Sequence, residues 1–331
     1  MINSYIKGIS YHVPEKVLTN KDLSKMMDTS DEWIKTRTGI HQRHTVGNSC
    51  LGPSDLAVEA ANKLLNKCSI KKNDIDFVVF ATSTPDYFVP GSGSIFQEKL
   101  GLNNIGVLDI RQGCSGFTYA LTVADKFIKS QSYKNILVVG AEVQTTQLDF
   151  NDAGRGTAIL FGDGAAVCLV SATKENRGIL SSHLHSDGKY IDELGTQYPS
   201  SKYKDIITVQ NIRDRKHHIH MNGREVFKHA VRRFPEVIME GLEYNNLSVK
   251  DITLVIPHQA NFRITQAVQK KLGISEEKVF SNIHKYGNTT AASIGIALSE
   301  ALDANLINKG DIIVLASFGA GWYWGSVIIK W

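Results

Sequence analysis

The stretch VLDIRQGCSGFTYAL, from Val107 to Leu121, decides the fold and carries the first candidate for chemistry. Val107 to Ile110 predicts a short buried strand, and from Phe117 onward apolar residues recur at helical spacing. Cys114 therefore falls at a strand-to-helix junction, between glycines. Free backbone N–H groups and the helix dipole lower a thiol pKa at such a place, which indicates a nucleophile. The alternative is a small buried cysteine that fills a tight turn.

The composition excludes several classes of protein. The chain has 331 residues, of which 42% are hydrophobic and 21% charged, as is ordinary for a globular protein. A net charge of +4 gives no case for nucleic-acid binding, and no apolar run is long enough to cross a bilayer. The four cysteines form no C-x-x-C pair, and the first residues lack the pattern of a signal peptide. We therefore expect a cytoplasmic protein with free thiols and no metal, membrane or nucleic-acid partner.

Strands alternate with helices along two successive parts of the chain, which predicts an α/β fold with helices on both faces of the sheets. The two parts share the order strand, reactive residue, helix, and we divide them as 1–177 and 178–331. A polar stretch from Ser181 to Lys216 is the candidate excursion between them. Near the C-terminus, Ala291, Ala292 and Gly295 give one helix face such small side chains that another element is expected to pack very close.

A helix that starts at Thr29 and stops at Gly39 carries a candidate binding surface. Thr29 and Glu32 have the spacing of a capping box, and Trp33 and Arg37 are spaced to share one face. Because Trp stacks on flat rings and Arg pairs with phosphate, this face is a candidate platform for a flat, anionic ligand. The alternative is a half-buried Trp covered by an Arg stem.

Three polar side chains each lie next to the end of a predicted buried strand or helix. Cys114 and His258 each come after a predicted buried strand, and Asn288 comes just before the helix with the small face. Reactive groups gather at the carboxyl ends of strands in such sheets, so we expect the three side chains to meet. A Cys nucleophile, a His and an Asn donor support acyl-thioester chemistry with a stabilised enolate. A cysteine hydrolase uses the same residue types, and a lone His at a strand end is often structural.

Five stretches together resemble the β-ketoacyl-acyl-carrier-protein synthase III family, condensing enzymes of the thiolase fold. The resemblance runs from Gly8 to the last strand and is weakest between Thr196 and His220. The matching stretches are DTSDEWIKTRTGI (Asp28–Ile40), CSGFTYAL (Cys114–Leu121), FGDGAA (Phe161–Ala166), PHQANFRI (Pro257–Ile264) and YGNTTAAS (Tyr286–Ser293). The resemblance implies two similar α/β halves with central mixed sheets, layered α-β-α-β-α and assembled as a homodimer.

The resemblance also implies a role for each matching residue. It implies a Cys114–His258–Asn288 triad and an oxyanion hole made by the backbone N–H groups of Cys114 and Ala320. The remaining roles that it implies are coenzyme A binding by Trp33, Arg37 and Arg155, a pantetheine tunnel lined by Gly223, Phe227 and Asn261, an acyl-pocket gate at Phe88, and carrier-protein docking by Arg263. Lys270 and Lys271 are further docking candidates on the same helix, and the alternative for all three cations is a solvated basic face. The helical spacing of Ile264, Val268 and Leu272 independently turns these three docking cations outward.

The expected reaction follows from the same resemblance. Cys114 takes an acyl group from acyl-CoA, and malonyl-acyl-carrier protein then decarboxylates and condenses with it to a 3-oxoacyl thioester that initiates fatty-acid synthesis. No metal or redox cofactor is implied.

The chain departs from the family pattern at Arg111 and Gln112, where the family usually has small residues, and in the polar stretch 196–220, which looks longer than usual. Arg111 and Gln112 are expected at a dimer seam or at the pocket floor, and the polar stretch at the tunnel mouth. Two alternatives follow: a condensing enzyme of a specialised, polyketide-like pathway with another starter or acceptor, and a non-catalytic acyl-carrier-binding partner.

Overall fold

The computed structural model describes residues 2–331. The strands are β1 (Asn3–His12), β2 (Val17–Thr19), β3 (Gln42–His44), β4 (Phe77–Ala81), β5 (Gly106–Ile110), β6 (Asn135–Glu142), β7 (Gly164–Thr173), β8 (Gly178–Ser186), β9 (Leu194–Gly195), β10 (His220–Met221), β11 (Leu254–Pro257), β12 (Ile312–Gly319) and β13 (Tyr323–Lys330). The helices are α1 (Asn20–Leu23), α2 (Asp31–Thr38), α3 (Pro53–Cys68), α4 (Ser92–Leu100), α5 (Gly116–Lys129), α6 (Arg155–Ala158), α7 (Val209–Arg213), α8 (Gly223–Tyr244), α9 (Phe262–Leu272), α10 (Ile283–Tyr286) and α11 (Ser293–Asp303).

Two mixed sheets form the frame of the molecule. The first has five strands in the order β1-β7-β6-β4-β5, and the second has four in the order β11-β12-β13-β8. In the first sheet β4 runs parallel to both β5 and β6, whereas β7 is antiparallel to its neighbours. In the second sheet β11 and β12 are parallel and the other pairs antiparallel.

The buried apolar residues place these sheets in five layers. Helices α5 and α11 share one core cluster with strands of both sheets, so they lie between the sheets. Helices α3 and α4 cover the outer face of the first sheet, and α8 and α9 cover the outer face of the second. The layered α-β-α-β-α arrangement is therefore confirmed. Every strand of the first sheet precedes residue 177 and every strand of the second follows it, but one core joins them, and the division into 1–177 and 178–331 stays a prediction.

Three local predictions are wrong. The predicted buried strand at 107–110 is the edge strand β5, whose Leu108 is 36% exposed because β5 pairs with β4 alone among residues 2–331. The predicted excursion from Ser181 begins later, since β8 continues to Ser186 against β13. Helix α2 is capped by Ser30 rather than Thr29: the Ser30 hydroxyl accepts from the backbone N–H of Trp33, and Gly39 ends the helix as expected.

The small face of α11 packs as closely as its sequence predicts. A Cβ placed on Gly295 would come within 2.4 Å of the Ala166 Cβ on β7 and 3.1 Å of the Phe117 ring on α5. The Ala166 Cβ is fixed to a central strand and cannot move aside. Only a glycine therefore lets α11 lie between the sheets at this distance.

We expect Gly295→Ala to lower the free energy of unfolding by about 1–3 kcal/mol, because one added methyl group overpacks this contact. Urea denaturation followed by circular dichroism measures the change. Gly188→Ala is the matched control, since a Cβ at Gly188 meets nothing within 4 Å. Equal stability of the Gly295 variant and the wild type would contradict the close contact.

Candidate active site

Cys114 sits in the 3-10 turn Gly113–Ser115, between β5 and the first residue of α5, as the sequence predicts. The backbone N–H groups of Cys114 and Ala320 favour the charged form of the thiol, and Cys114 is 6% exposed. Ala320 comes so near because the preceding residue is Gly319, where a Cβ would lie 2.7 Å from the Cys114 Cβ.

The expected lowering of the Cys114 pKa is wrong. Burial raises this pKa to about 12, and the negative charge of Glu142 raises it as well, whereas the two backbone N–H groups act in the opposite direction. The thiol is therefore protonated at neutral pH, and its proton must leave as the sulfur attacks.

His258 follows β11 directly and is 2% exposed. Burial lowers its pKa to about 3, so the imidazole is neutral at pH 7. Its Nδ1 lies 2.6 Å from the Ser293 hydroxyl, and that hydroxyl accepts from the backbone N–H of Gln259 at 3.4 Å. The Ser293 hydroxyl has no other acceptor among the described residues, so we assign its proton to Nδ1, which leaves the ring proton on Nε2. Nε2 has no hydrogen-bond partner within residues 2–331, so it is a free donor.

Asn288 is held by its backbone. Its N–H donates to the Leu160 carbonyl at 2.8 Å, and its carbonyl accepts from the Gly162 N–H at 3.0 Å. The side-chain Oδ1 accepts from the Thr290 N–H at 2.9 Å, which fixes the amide orientation. Nδ2, the donor end, therefore remains available for a ligand.

Two cavities meet the thiol. One of about 120 Å³ is lined by all three predicted triad members and by Gly223, Phe227 and Asn261. The other, of about 410 Å³, is lined by Cys114 together with Phe88, Arg111, Gln144 and part of the polar stretch from Thr196 to Ile219. Arg111 thus faces a cavity, whereas the half-buried Gln112 keeps a side-chain oxygen with no partner in the described chain.

The residues predicted to hold coenzyme A gather at the surface beside the smaller cavity. Trp33 is 40% exposed, and the guanidinium carbons of Arg37 and Arg155 lie 5.8 and 5.6 Å from its ring centroid. Arg155 also donates to the Asp28 carbonyl at 2.5 Å. Asn261 ties this group to the cavity, because its side chain caps α9 and donates to the Arg37 carbonyl at 3.2 Å.

Helix α9 has the faces that its sequence predicts. Ile264 and Val268 are buried, whereas Arg263, Lys270 and Lys271 are exposed. None of these three cations forms an ion pair in the part of the chain that the structure describes.

Sequence reasoning missed Ser293 and Glu142. Ser293 ends the quoted stretch YGNTTAAS, and its place five residues after Asn288, at the first residue of a predicted helix, was a usable signal. Glu142 is a fully buried carboxylate at the end of β6. A charged residue that ends an otherwise apolar strand was the available signal there.

Comparison with known proteins decides the family. The model described as 3-oxoacyl-[acyl-carrier-protein (ACP)] synthase III matches residues 108–188, and the one for its C-terminal part matches residues 242–331. A β-ketoacyl-[acyl-carrier-protein] synthase III of Fusobacterium nucleatum is 43% identical over 326 residues, 98% of each chain. The chain belongs to the 3-oxoacyl-[acyl-carrier-protein] synthase III family.

The synthase III likeness extends along the whole chain. The relative from Caldanaerobacter subterraneus is 44% identical over 331 residues, covering 98% of this chain and 97% of its own. The crystal structure of the synthase III from Aquifex aeolicus VF5 has a TM-score of 0.91 at 40% identity, covering 99% of this chain and all of that one. The thiolase-like fold is thereby confirmed, and the chain is a condensing acyltransferase of fatty-acid initiation.

We expect His258 to stay neutral between pH 8 and pH 5. Its pKa in the folded protein, about 3, lies below the ordinary 6.5, so the ring gains a proton only in strong acid. The imidazole NMR signals of His258 are assigned by their absence from the spectrum of His258→Asn. Their chemical shifts should not change over this pH range, in which an ordinary histidine titrates. A titration midpoint near 6.5 would contradict the neutral, donating imidazole.

Proposed function

We propose that Cys114, His258 and Asn288 carry out a decarboxylative condensation of an acyl-CoA starter with malonyl-acyl-carrier protein. The observation that carries the proposal is a cavity of about 120 Å³ that all three residues line. Within it, a sulfur nucleophile faces two N–H donors whose orientations are fixed by Ser293 and by the Thr290 backbone.

In the first step the Cys114 sulfur attacks the acyl-CoA carbonyl. The carbonyl oxygen becomes an oxyanion, and the N–H groups of Cys114 and Ala320 are the donors beside it. The bond to the coenzyme A sulfur then breaks, and the proton of the thiol ends on that departing sulfur. An acyl-Cys114 thioester remains.

In the second step malonyl-acyl-carrier protein enters the vacated tunnel. His258 Nε2 and Asn288 Nδ2 donate to its thioester carbonyl, and loss of carbon dioxide leaves an enolate on that oxygen. The enolate carbon attacks the acyl-Cys114 carbonyl, and the sulfur of Cys114 leaves and regains a proton. The product is a 3-oxoacyl-carrier protein, and no step calls for a metal or redox cofactor.

Coenzyme A fits the surface group of Trp33, Arg37 and Arg155. The Trp33 ring offers a stacking face for the adenine, and the two guanidinium groups offer donors for phosphates. Gly223, Phe227 and Asn261 line the path for the pantetheine arm from this surface to Cys114.

The acyl chain fits the larger cavity, with Phe88 as its gate. Phe88 lines that cavity and is 53% exposed. Its apolar neighbours Tyr87 and Val89 are also exposed, at 63% and 79%. Together with the unpaired edge of β5 and the exposed Leu108, this apolar surface supports a homodimer. The free thiols of all four cysteines support a cytoplasmic location.

The two alternatives carry less support. A non-catalytic carrier-binding partner gives no reason for an oriented pair of donors at a buried thiol. A specialised, polyketide-like pathway would change the starter or acceptor rather than the steps at Cys114, His258 and Asn288.

We expect acyl-CoA to add one acyl mass to the wild type and none to Cys114→Ala, as seen by intact-protein mass spectrometry. His258→Ala and Asn288→Ala should still acylate, but carbon dioxide release from malonyl-carrier protein should fall roughly 100- to 1,000-fold, the usual cost of losing one oxyanion donor. Normal decarboxylation by both variants would contradict the assignment of His258 and Asn288 as donors to the enolate oxygen.

Arg37→Ala should raise the KM for acyl-CoA, because a phosphate donor is lost, and leave condensation of preacylated enzyme with malonyl-carrier protein nearly unchanged. Steady-state kinetics and a single-turnover assay measure the two steps. Lys35→Ala is the control, since it lies on the same helix and pairs with Asp31 instead. Equal damage to both steps would point to a folding defect.

Arg263→Glu should slow condensation with the acidic carrier while leaving acylation of Cys114 by a small acyl-CoA intact. The charge is exposed, so the effect should fall on association, and the wild-type rate should drop as salt rises. Lys134→Glu makes the same charge change at the N-terminal end of β6, away from the site. Carrier kinetics at low salt that match the wild type would leave Arg263 an ordinary solvated charge.

A further inference from the structure

We propose that the starter acyl group carries a hydroxyl, which donates a hydrogen bond to Oε1 of Gln144 in the wall of the larger cavity. The inference rests on the proposed acylation of Cys114 and names the chemical class of the group transferred. Gln144 and Cys114 both line this cavity, and Gln144 is only 2% exposed. Its Oε1 has no hydrogen-bond partner among the residues that the structure describes.

The orientation of the Gln144 amide follows from its neighbours. The Ser83 hydroxyl donates its one proton to the Glu142 carboxylate at 3.0 Å, so toward Gln144 it can only accept. Gln144 accordingly presents Nε2 to Ser83 at 2.9 Å, and the same NH₂ reaches Glu142 at 3.4 Å. The carbonyl end is therefore the one without a partner, and a ligand that satisfies it must donate.

The charged side chains near Gln144 determine which kind of hydrogen-bond donor a ligand can place against it. Glu142 is fully buried and accepts from the Thr84 hydroxyl at 2.7 Å and from the backbone N–H of Ser83 at 3.1 Å. Burial raises the pKa of this carboxyl, while the hydrogen bonds from Thr84 and Ser83 act in the opposite direction, so in either protonation state it offers no cation to an acidic group on the acyl chain. Asp86 lines the same cavity with a second unpartnered acceptor, Oδ2, within the described chain. The one arginine of the wall, Arg111, is exposed and hence screened.

An unsubstituted alkyl starter in this cavity offers the Gln144 carbonyl no donor, and this cost falls on acylation. A buried polar group that loses its partner typically weakens binding by about 10- to 100-fold. A site built to hydrogen-bond a substrate hydroxyl likewise discriminates far more strongly than an apolar pocket that only tolerates one. We therefore expect a preference for a hydroxyacyl thioester of at least about 10-fold.

The test is a competition on the full chain. Equimolar butyryl-CoA and 3-hydroxybutyryl-CoA, and in a second arm butyryl-CoA and 4-hydroxybutyryl-CoA, are offered to the wild type, and mass spectrometry counts the two acyl masses on Cys114 after brief reaction. One hydroxylated thioester should outcompete butyryl-CoA at least 10-fold. Butyryl-CoA reacting as well as both hydroxylated thioesters would overturn the proposal. If no thioester, acetyl-CoA included, acylates Cys114, the proposed function itself falls.

Two variants assign the preference to Gln144. Gln144→Leu replaces the amide by an apolar group of similar size and should reverse the preference toward butyryl-CoA. Gln147→Leu lines the same cavity, but the Gln147 oxygen already accepts from the Thr196 hydroxyl at 3.0 Å, so the preference should persist. A hydroxyl preference that survives in Gln144→Leu would overturn the assignment. Gln144→Met replaces Gln144→Leu in this experiment if the leucine variant does not fold. The competition on the wild type tests the hydroxyl preference without either variant.

Discussion

The close packing of two helix N-termini between the sheets is the constraint on which the site depends. Ala291 lies against Gly116, where a Cβ would meet the Ala291 Cβ at 3.2 Å, and against Gly140, where a Cβ would lie 2.4 Å from the Ala291 carbonyl oxygen. Gly116 follows the Cys114 turn, and Ala291 follows Asn288 and begins the approach to α11. Any larger side chain here separates the two helices, and with them the nucleophile and its amide donor.

Burial then sets the protonation of the reacting groups. Burial favours the neutral form of both side chains. It therefore raises the pKa of the Cys114 thiol and lowers the pKa of the His258 imidazole. A neutral thiol beside a neutral imidazole gives no stable ion pair, unlike a cysteine hydrolase in which His takes the thiol proton. The Ser293 contact directs the imidazole proton outward and suits the ring to donate rather than accept.

The surface features rest on weaker and more adaptable interactions. The arginines at Trp33 and the cations of α9 are exposed, so solvent and salt screen them, and the role proposed for them is to orient and attract anionic groups. The contrast with the buried wall of the acyl cavity is physical. There, a buried carbonyl discriminates between ligands because leaving it without a partner costs free energy.

The sequence by itself determined many of the helices and strands and the family of the protein. Helical spacing from Phe117, the glycine stop at Gly39 and the apolar and basic faces of α9 are local properties, and the five matching stretches named the family. Only the tertiary structure decided what depends on neighbours distant in the chain. It exposed β5, because no strand pairs with its outer edge, and it raised rather than lowered the Cys114 pKa, because burial outweighs two backbone N–H groups. It also oriented Gln144, since the proton of Ser83 goes to Glu142, and no periodicity along the chain records such a contact.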